Sequence, residues 1–363
     1  CSSDLGWFKG MGSDKTEIRL LEEGLEVIPE NPFFISFRGG NIRISDLSFN
    51  VPNDNPCKPW VFPSGETVTF IAAIVNIIGN SVEDNRANSQ FQNVSFRGKY
   101  VDQFNFTPYN IDNFILINGG ALDIQPFEGH HMIQNCEFVS AETAINALGL
   151  SNSTLVVGGN QFTSNYIKDV NTGINIYDSE KSSIKCTNNH LEKIRNLGGI
   201  SFRQGVLPAV FANLNPNSSH FFAANNTIRV NGTAHAIDVH DYVAIDVPEQ
   251  FSKIVLLNNR IMLKNAEAKG IYTYGANCMH ALKNNISGHS AYGIGIFGPA
   301  HHGKILFNDF QHLEALQADI ILGEETHHNF ILCNRWSEIK VEDNGTDNVV
   351  NRTSRKPGKK EHH

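Results

Sequence analysis

Apolar and polar positions alternate along this chain in short bursts separated by polar bends. Seven bursts share one pattern: a small residue, an aliphatic, any residue, an apolar residue, then two variable positions. Their aliphatics are Ile145, Ile174, Ile200, Ile237, Ile271, Ile294 and Ile320. A period of two predicts half-buried strands with these aliphatics on one face. Between the bursts runs a second element that ends in one or two Asn and then a large apolar residue. Examples are Asn135-Cys136-Glu137-Phe138, Asn225-Asn226-Thr227-Ile228 and Asn258-Asn259-Arg260-Ile261. Phe49 and Phe96 close similar runs upstream. The apolar anchors recur at gaps of 24, 25 and 29 residues, with longer gaps of 33 to 47. One turn of a coil, sometimes carrying a loop, accounts for the spacing.

Such turns cannot bury their apolar faces alone, so they stack and share one continuous core. Asn suits the bends because it tolerates left-handed backbone geometry, and stacked Asn side chains can bond to one another from turn to turn. The repeats resemble those of right-handed parallel β-helices, the fold of pectate lyases, alginate-modifying enzymes and many surface proteins. The resemblance covers roughly residues 8 to 350. It implies an all-β, right-handed parallel β-helix solenoid of about a dozen turns with loop insertions. The organisation expected is one β-helix domain over 1–350, with an opening turn or cap at 1–34 and a large insertion at 97–128. Smaller insertions fall at about 205–218 and 242–252, and a basic tail at 351–363. Residues 67–78 read as a nearly continuous apolar strand, covered on both sides.

Composition narrows the functional classes. The net charge of −8 argues against a nucleic-acid partner, and no run of eighteen apolar residues is present to span a membrane. The abundance of Phe, 24 in 363 residues, fits internal aromatic stacks. Cys136, Cys186, Cys278 and Cys333 sit in the Asn-ending element and read as inward-packed thiols. The start, Cys1-Ser2-Ser3-Asp4, resembles that of a mature bacterial lipoprotein, which implies a lipid anchor at Cys1. Gly10-Met11-Gly12-Ser13-Asp14-Lys15-Thr16-Glu17-Ile18 resembles a β-helix opening turn, and so short a lead before it points instead to a fragment boundary. A secreted or cell-surface monomer is expected.

Candidate chemistry lies in the outward columns of the hexads. Second and fourth positions should face the core, third and fifth the outside. The fifth column runs Leu148, Tyr177, Arg203, His240, Tyr274, Phe297, and the third includes Asp238 and Tyr272. Asp178 and Asp241, in the sixth, would flank this stripe with carboxylates. Aromatic faces such as Tyr177, Tyr272 and Phe297 stack on sugar rings, and an Arg pairs with a uronate carboxylate. A His or Tyr beside it can take the proton alpha to that carboxylate, with His240, Arg203 and Tyr274 as the catalytic candidates. Elimination would make a lyase; reprotonation from the far face would make an epimerase. Ala236-Ile237-Asp238-Val239-His240-Asp241 resembles the G-I-D-P-H-D segment of mannuronan epimerases, which implies His240 as base, with Asp238 and Asp241 orienting it or helping to bind a metal such as Ca2+. Val239 replaces the family's proline.

Two other readings remain open: a non-catalytic surface β-helix for glycan binding or adhesion, and an inverting glycosidase using Asp178 and Asp241, two turns or about 9–10 Å apart. The paired His130-His131, His301-His302 and His327-His328 read as turn residues in register.

Overall fold

The isoleucine column is the spine of the molecule. Ile145 pairs with Ile174, then Ile200, Ile237, Ile271, Ile294 and Ile320, always between parallel strands. All seven are fully buried. The computed structural model describes residues 6–19, 33–61, 65, 67–81, 84–101, 108–118, 126–158, 165–205, 219–242, 251–335 and 340–351. Among these residues the chain is all-β, and apart from the two-stranded antiparallel pair Trp60–Val61 with Thr67–Val68 every strand pairing is parallel. No helix of the described residues is long and apolar enough to cross a membrane.

The parallel strands form three ladders. The hexads make the first, which extends upstream through Phe33–Arg38, Ile71–Ile78 and Ile111–Ile117. A second runs through His130–Gln134, Thr154–Gly158, Ser183–Thr187, His220–Ala224 and Lys253–Leu257. The third joins the N-terminal halves of the long strands Glu137–Ser151, Tyr166–Glu180 and His190–Gln204 to Thr227–Val230 and Arg260–Lys264. Residues between ladders bend through positive φ, mostly at Asn, Asp or Ser.

Two expectations change here. The stretch 97–128, expected to be irregular, contains the hexad strand Ile111–Ile117, in register with Ile145 through Ile115. The apolar run 67–78 divides into the short antiparallel strand and a separate ladder strand, Ile71–Ile78, buried along nearly its whole length.

The core is filled by stacks. Phe49, Phe96 and Phe138 lie face to face at 5.2 and 5.1 Å between ring centres. At the corner between the second and third ladders, Asn165, Asn189, Asn226, Asn259, Asn284, Asn308 and Asn334 form one chain, each amide donating to the next side-chain oxygen at 2.9–3.0 Å. The residue just before the ladder Asn carries the left-handed bend, at Asn188, Asn225, Asn258, Lys283, Phe307 and Cys333. That explains the cysteines. Cys136 and Cys186 are buried as expected, but Cys278 and Cys333 occupy positive-φ bends, and so are half-buried and exposed.

Candidate functional site

The register places the fifth-column side chains as neighbours on the outer face of the hexad ladder. Tyr177 pairs with Arg203, Arg203 with His240, His240 with Tyr274 and Tyr274 with Phe297. In the third column, Ser201, Asp238 and Tyr272 follow one another. Gly295 ends that series because a Cβ there would meet the rings of Phe297 and Tyr292 at 2.5–2.7 Å. The missing side chain lets Tyr272 stack on Phe297 at 5.3 Å.

Asp238 is the centre of the site. It faces outward by parity yet has no exposed surface, because Arg203, His235, His240 and Tyr272 close over it. A buried carboxylate must be paired or hydrogen-bonded to stay charged. Here Oδ2 accepts from Arg203 Nε at 2.8 Å and from Nη2, while Oδ1 bonds His235 Nδ1 at 3.0 Å and His240 Nε2 at 2.9 Å. Burial alone would raise its pKa, but the hydrogen bonds from His235 and His240 and the charge of Arg203 outweigh that and hold it well below the carboxylate range.

An ionised Asp238 fixes the tautomer of His240. Nε2 must carry the proton it donates, which leaves the Nδ1 lone pair for the Tyr242 hydroxyl at 2.9 Å. Tyr242 is the exposed end of this relay; the His240 side chain retains only 14% of its surface. Desolvation, with help from Tyr274 and Asp238 and opposed by Arg203, raises the Tyr242 pKa, so the phenol holds its proton at neutral pH. The Arg203 guanidinium lies 5.9 Å from the Tyr177 ring centre, and its Nη1 has no protein partner among the described residues. Tyr274 packs at 5.5 Å from Tyr242 and 6.2 Å from His240. An aromatic floor thus surrounds one cation and one hydrogen-bonded proton relay.

Sequence reasoning missed His235 and Tyr242. Each lies just outside the hexad, and only the register carries His235 beneath Tyr272, where the rings stack at 4.8 Å. The sixth-column carboxylates are a correction. Asp178 and Asp241 are buried, as is Gln204 between them, because position six shares the parity of positions two and four and so faces inward. Asp178 accepts from the Gly205 amide and Asp241 from the Ser252 amide at 2.9 Å. They secure the ends of the two insertions and cannot reach a sugar, which removes the glycosidase pair. Of the smaller insertions expected at about 205–218 and 242–252, residues 206–218 and 243–250 lie outside the described residues.

Two of the three histidine pairs lie in register, His301 pairing with His327 with their rings 4.9 Å apart, whereas His130 and His131 are not turn residues but open the strand His130–Gln134, with His131 buried. Among the described residues no group of three or more His, Cys, Asp or Glu side chains is placed to hold a metal ion.

The fold and site therefore define an all-β protein of stacked parallel strands with a polar, aromatic face on one ladder. No protein-family profile and no characterised protein sequence matches the chain. Among solved structures it is similar to the A-module of the mannuronan C-5 epimerase AlgE4 from Azotobacter vinelandii. The identity is 11%, over 86% of this chain and 91% of that one, with a TM-score of 0.31. A likeness that distant assigns no activity.

Proposed function

We propose that the chain is a right-handed parallel β-helix whose hexad face binds a uronate-containing polysaccharide and abstracts the proton alpha to the uronate carboxylate. The observation that carries this reading is the bonding of Asp238 to both Arg203 and His240, with Tyr242 on the far nitrogen of the same imidazole. Arg203 faces the substrate carboxylate through Nη1, and its charge lowers the cost of the enolate-like intermediate. The substrate C–H proton passes to the Tyr242 oxygen as the phenolic proton moves to His240 Nδ1, and Asp238 stabilises the imidazolium. Expulsion of the oxygen at the neighbouring carbon, which takes the proton now on Tyr242 as His240 returns the phenolic proton, then gives an unsaturated uronate and restores the relay, a lyase outcome. Return of a proton to the opposite face of the same carbon from water, as His240 gives up the proton it took, gives the epimer. Tyr177, Tyr272 and Phe297 supply the rings on which sugars stack.

The test is a panel of alginate, pectate and glycosaminoglycan substrates, read by the ultraviolet absorbance of unsaturated uronates and by proton NMR for epimerisation. Activity on a uronate polymer that Tyr242→Phe and His240→Ala each reduce by about 10²-fold or more is expected. Binding to such polymers without turnover on any of them would make the face a glycan-binding surface and sink the proton-transfer reading.

A further inference from the structure

The third ladder carries a second polar groove, away from the His240 relay. A depression of about 620 Å³ lies over the strands that pair Arg97 with Val139 and Val139 with Lys168, and Lys193 is in its wall. A second depression of about 290 Å³ adjoins it, shares Lys193 and continues over Arg195, Asn196 and Asn231. From the strand of Arg97 to that of Asn231 is four strand spacings, about 19 Å, the length of a short oligosaccharide.

Its charge is set by what is already neutralised. Arg97 bonds Glu137 at 2.9 Å, Lys99 bonds Asp54 at 2.5 Å, and Arg195 bonds Asp169 at 2.7 Å. Lys168 and Lys193 have no carboxylate partner among the described residues. The groove is therefore cationic on a chain of net charge −8. Tyr166 adds a ring that stacks on His190 at 5.5 Å and is tethered through its hydroxyl to Glu192 at 3.1 Å. Asn50, Asn196 and Asn231 add amides, which donate to and accept from hydroxyls.

We propose that this groove is a binding site for an acidic oligosaccharide, with Lys168 and Lys193 meeting its carboxylates and Tyr166 and the asparagines its rings and hydroxyls. Two separated cations, an aromatic ring and amides match a polymer with a charge on some sugars and hydroxyls on all. The carboxylates Glu137 and Asp169 in the same wall disfavour the unbroken phosphate line of a nucleic acid. The inference is independent of turnover on the hexad face, since no residue is shared between them.

The test is calorimetric titration of the full chain with an oligouronate hexasaccharide, a neutral cello-oligosaccharide of the same length and a single-stranded oligonucleotide. The expected result is that the acidic sugar binds in two components, of which one is lost or weakened at least tenfold in Lys168→Glu/Lys193→Glu and by added salt, while the component belonging to the hexad face remains. Lys168→Met/Lys193→Met, which removes the charges without reversing them, should fold as wild type by circular dichroism and show a smaller loss of the same sign. Equal affinity for the neutral sugar, unchanged binding in both lysine variants, or tighter binding of the oligonucleotide at equal salt would each overturn the proposal.

Discussion

Replacing Asn226 with alanine tests whether the asparagine chain is a main support of the stacked parallel strands. Asn226 is 1% exposed and makes four side-chain bonds. Nδ2 donates to the Cys186 carbonyl at 2.8 Å and to Asn259 Oδ1 at 2.9 Å; Oδ1 accepts from Asn189 N and Nδ2, both at 3.0 Å. Two of the four bereaved groups keep another partner, since Asn189 Nδ2 still donates to the Val157 carbonyl and Asn259 Oδ1 still accepts from the residue 226 amide. The Asn189 amide loses its side-chain acceptor, and the Cys186 carbonyl loses a donor. At about 1–3 kcal/mol for a buried group left unmatched, the cost is on the order of 3 kcal/mol. The end of the ladder provides the control. Asn334 makes equivalent bonds to Asn308 and the Ile305 carbonyl but is half-buried, so water can replace what Asn334→Ala removes. Urea unfolding and amide exchange should show Asn226→Ala losing at least 2 kcal/mol more than Asn334→Ala. Equal losses, or a loss at position 226 below about 0.5 kcal/mol, would refute the claim that these bonds hold the turns together.

Other predictions follow from single side chains. His131 is buried against Phe127 with Nδ1 on Ser89, and burial, reinforced by His130, pushes its pKa down to about 3. The unfolded chain then binds a proton below about 6.5 that the folded chain refuses, so stability should fall by about 1.4 kcal/mol per pH unit from 6.5 toward 3, and His131→Phe should flatten that slope in thermal melts. Asp112 acts in the opposite sense. Desolvation first, and Glu142 on the next strand second, raise its pKa to about 7, so stability should fall as pH rises from about 4 to 7. Because the side chain is only partly covered, Asp112→Asn should gain about 1–2 kcal/mol at pH 8, and no gain there would discount the carboxyl pair. Arg203→Ala strips Asp238 of its guanidinium partner and should cost about 3 kcal/mol as well as binding, whereas Arg203→Lys should recover stability better than uronate affinity.

The register was readable because Gly or Ala opens each hexad from residue 144 to 293, making the alternation visible. It was not readable upstream, where the residues one place before Ile35, Val75 and Ile115 are Phe34, Ile74 and Phe114. A wide interior accepts these large side chains, and the strands then look like unpatterned apolar runs. In the site, columns three and five gave Asp238, Arg203, His240 and Tyr274 as neighbours, since stacking in register needs only the period. Direction of burial was legible from parity and was misread at Asp178 and Asp241, because acidic residues at a strand end look solvated. His235 and Tyr242 needed the bend geometry at either end of the strand, which no period encodes.

The amides from Asn165 to Asn334 repeat one orientation along the axis, each oxygen toward the preceding layer, one hydrogen toward the next Asn and the other on a carbonyl of the preceding layer. Aligned dipoles polarise one another, so the column is a one-way wire rather than a set of independent clips. A layer added on the C-terminal side meets an amide hydrogen already aimed at it, whereas one added on the N-terminal side meets an aligned oxygen and a hydrogen waiting for its carbonyl, so the two ends of the column offer different templates.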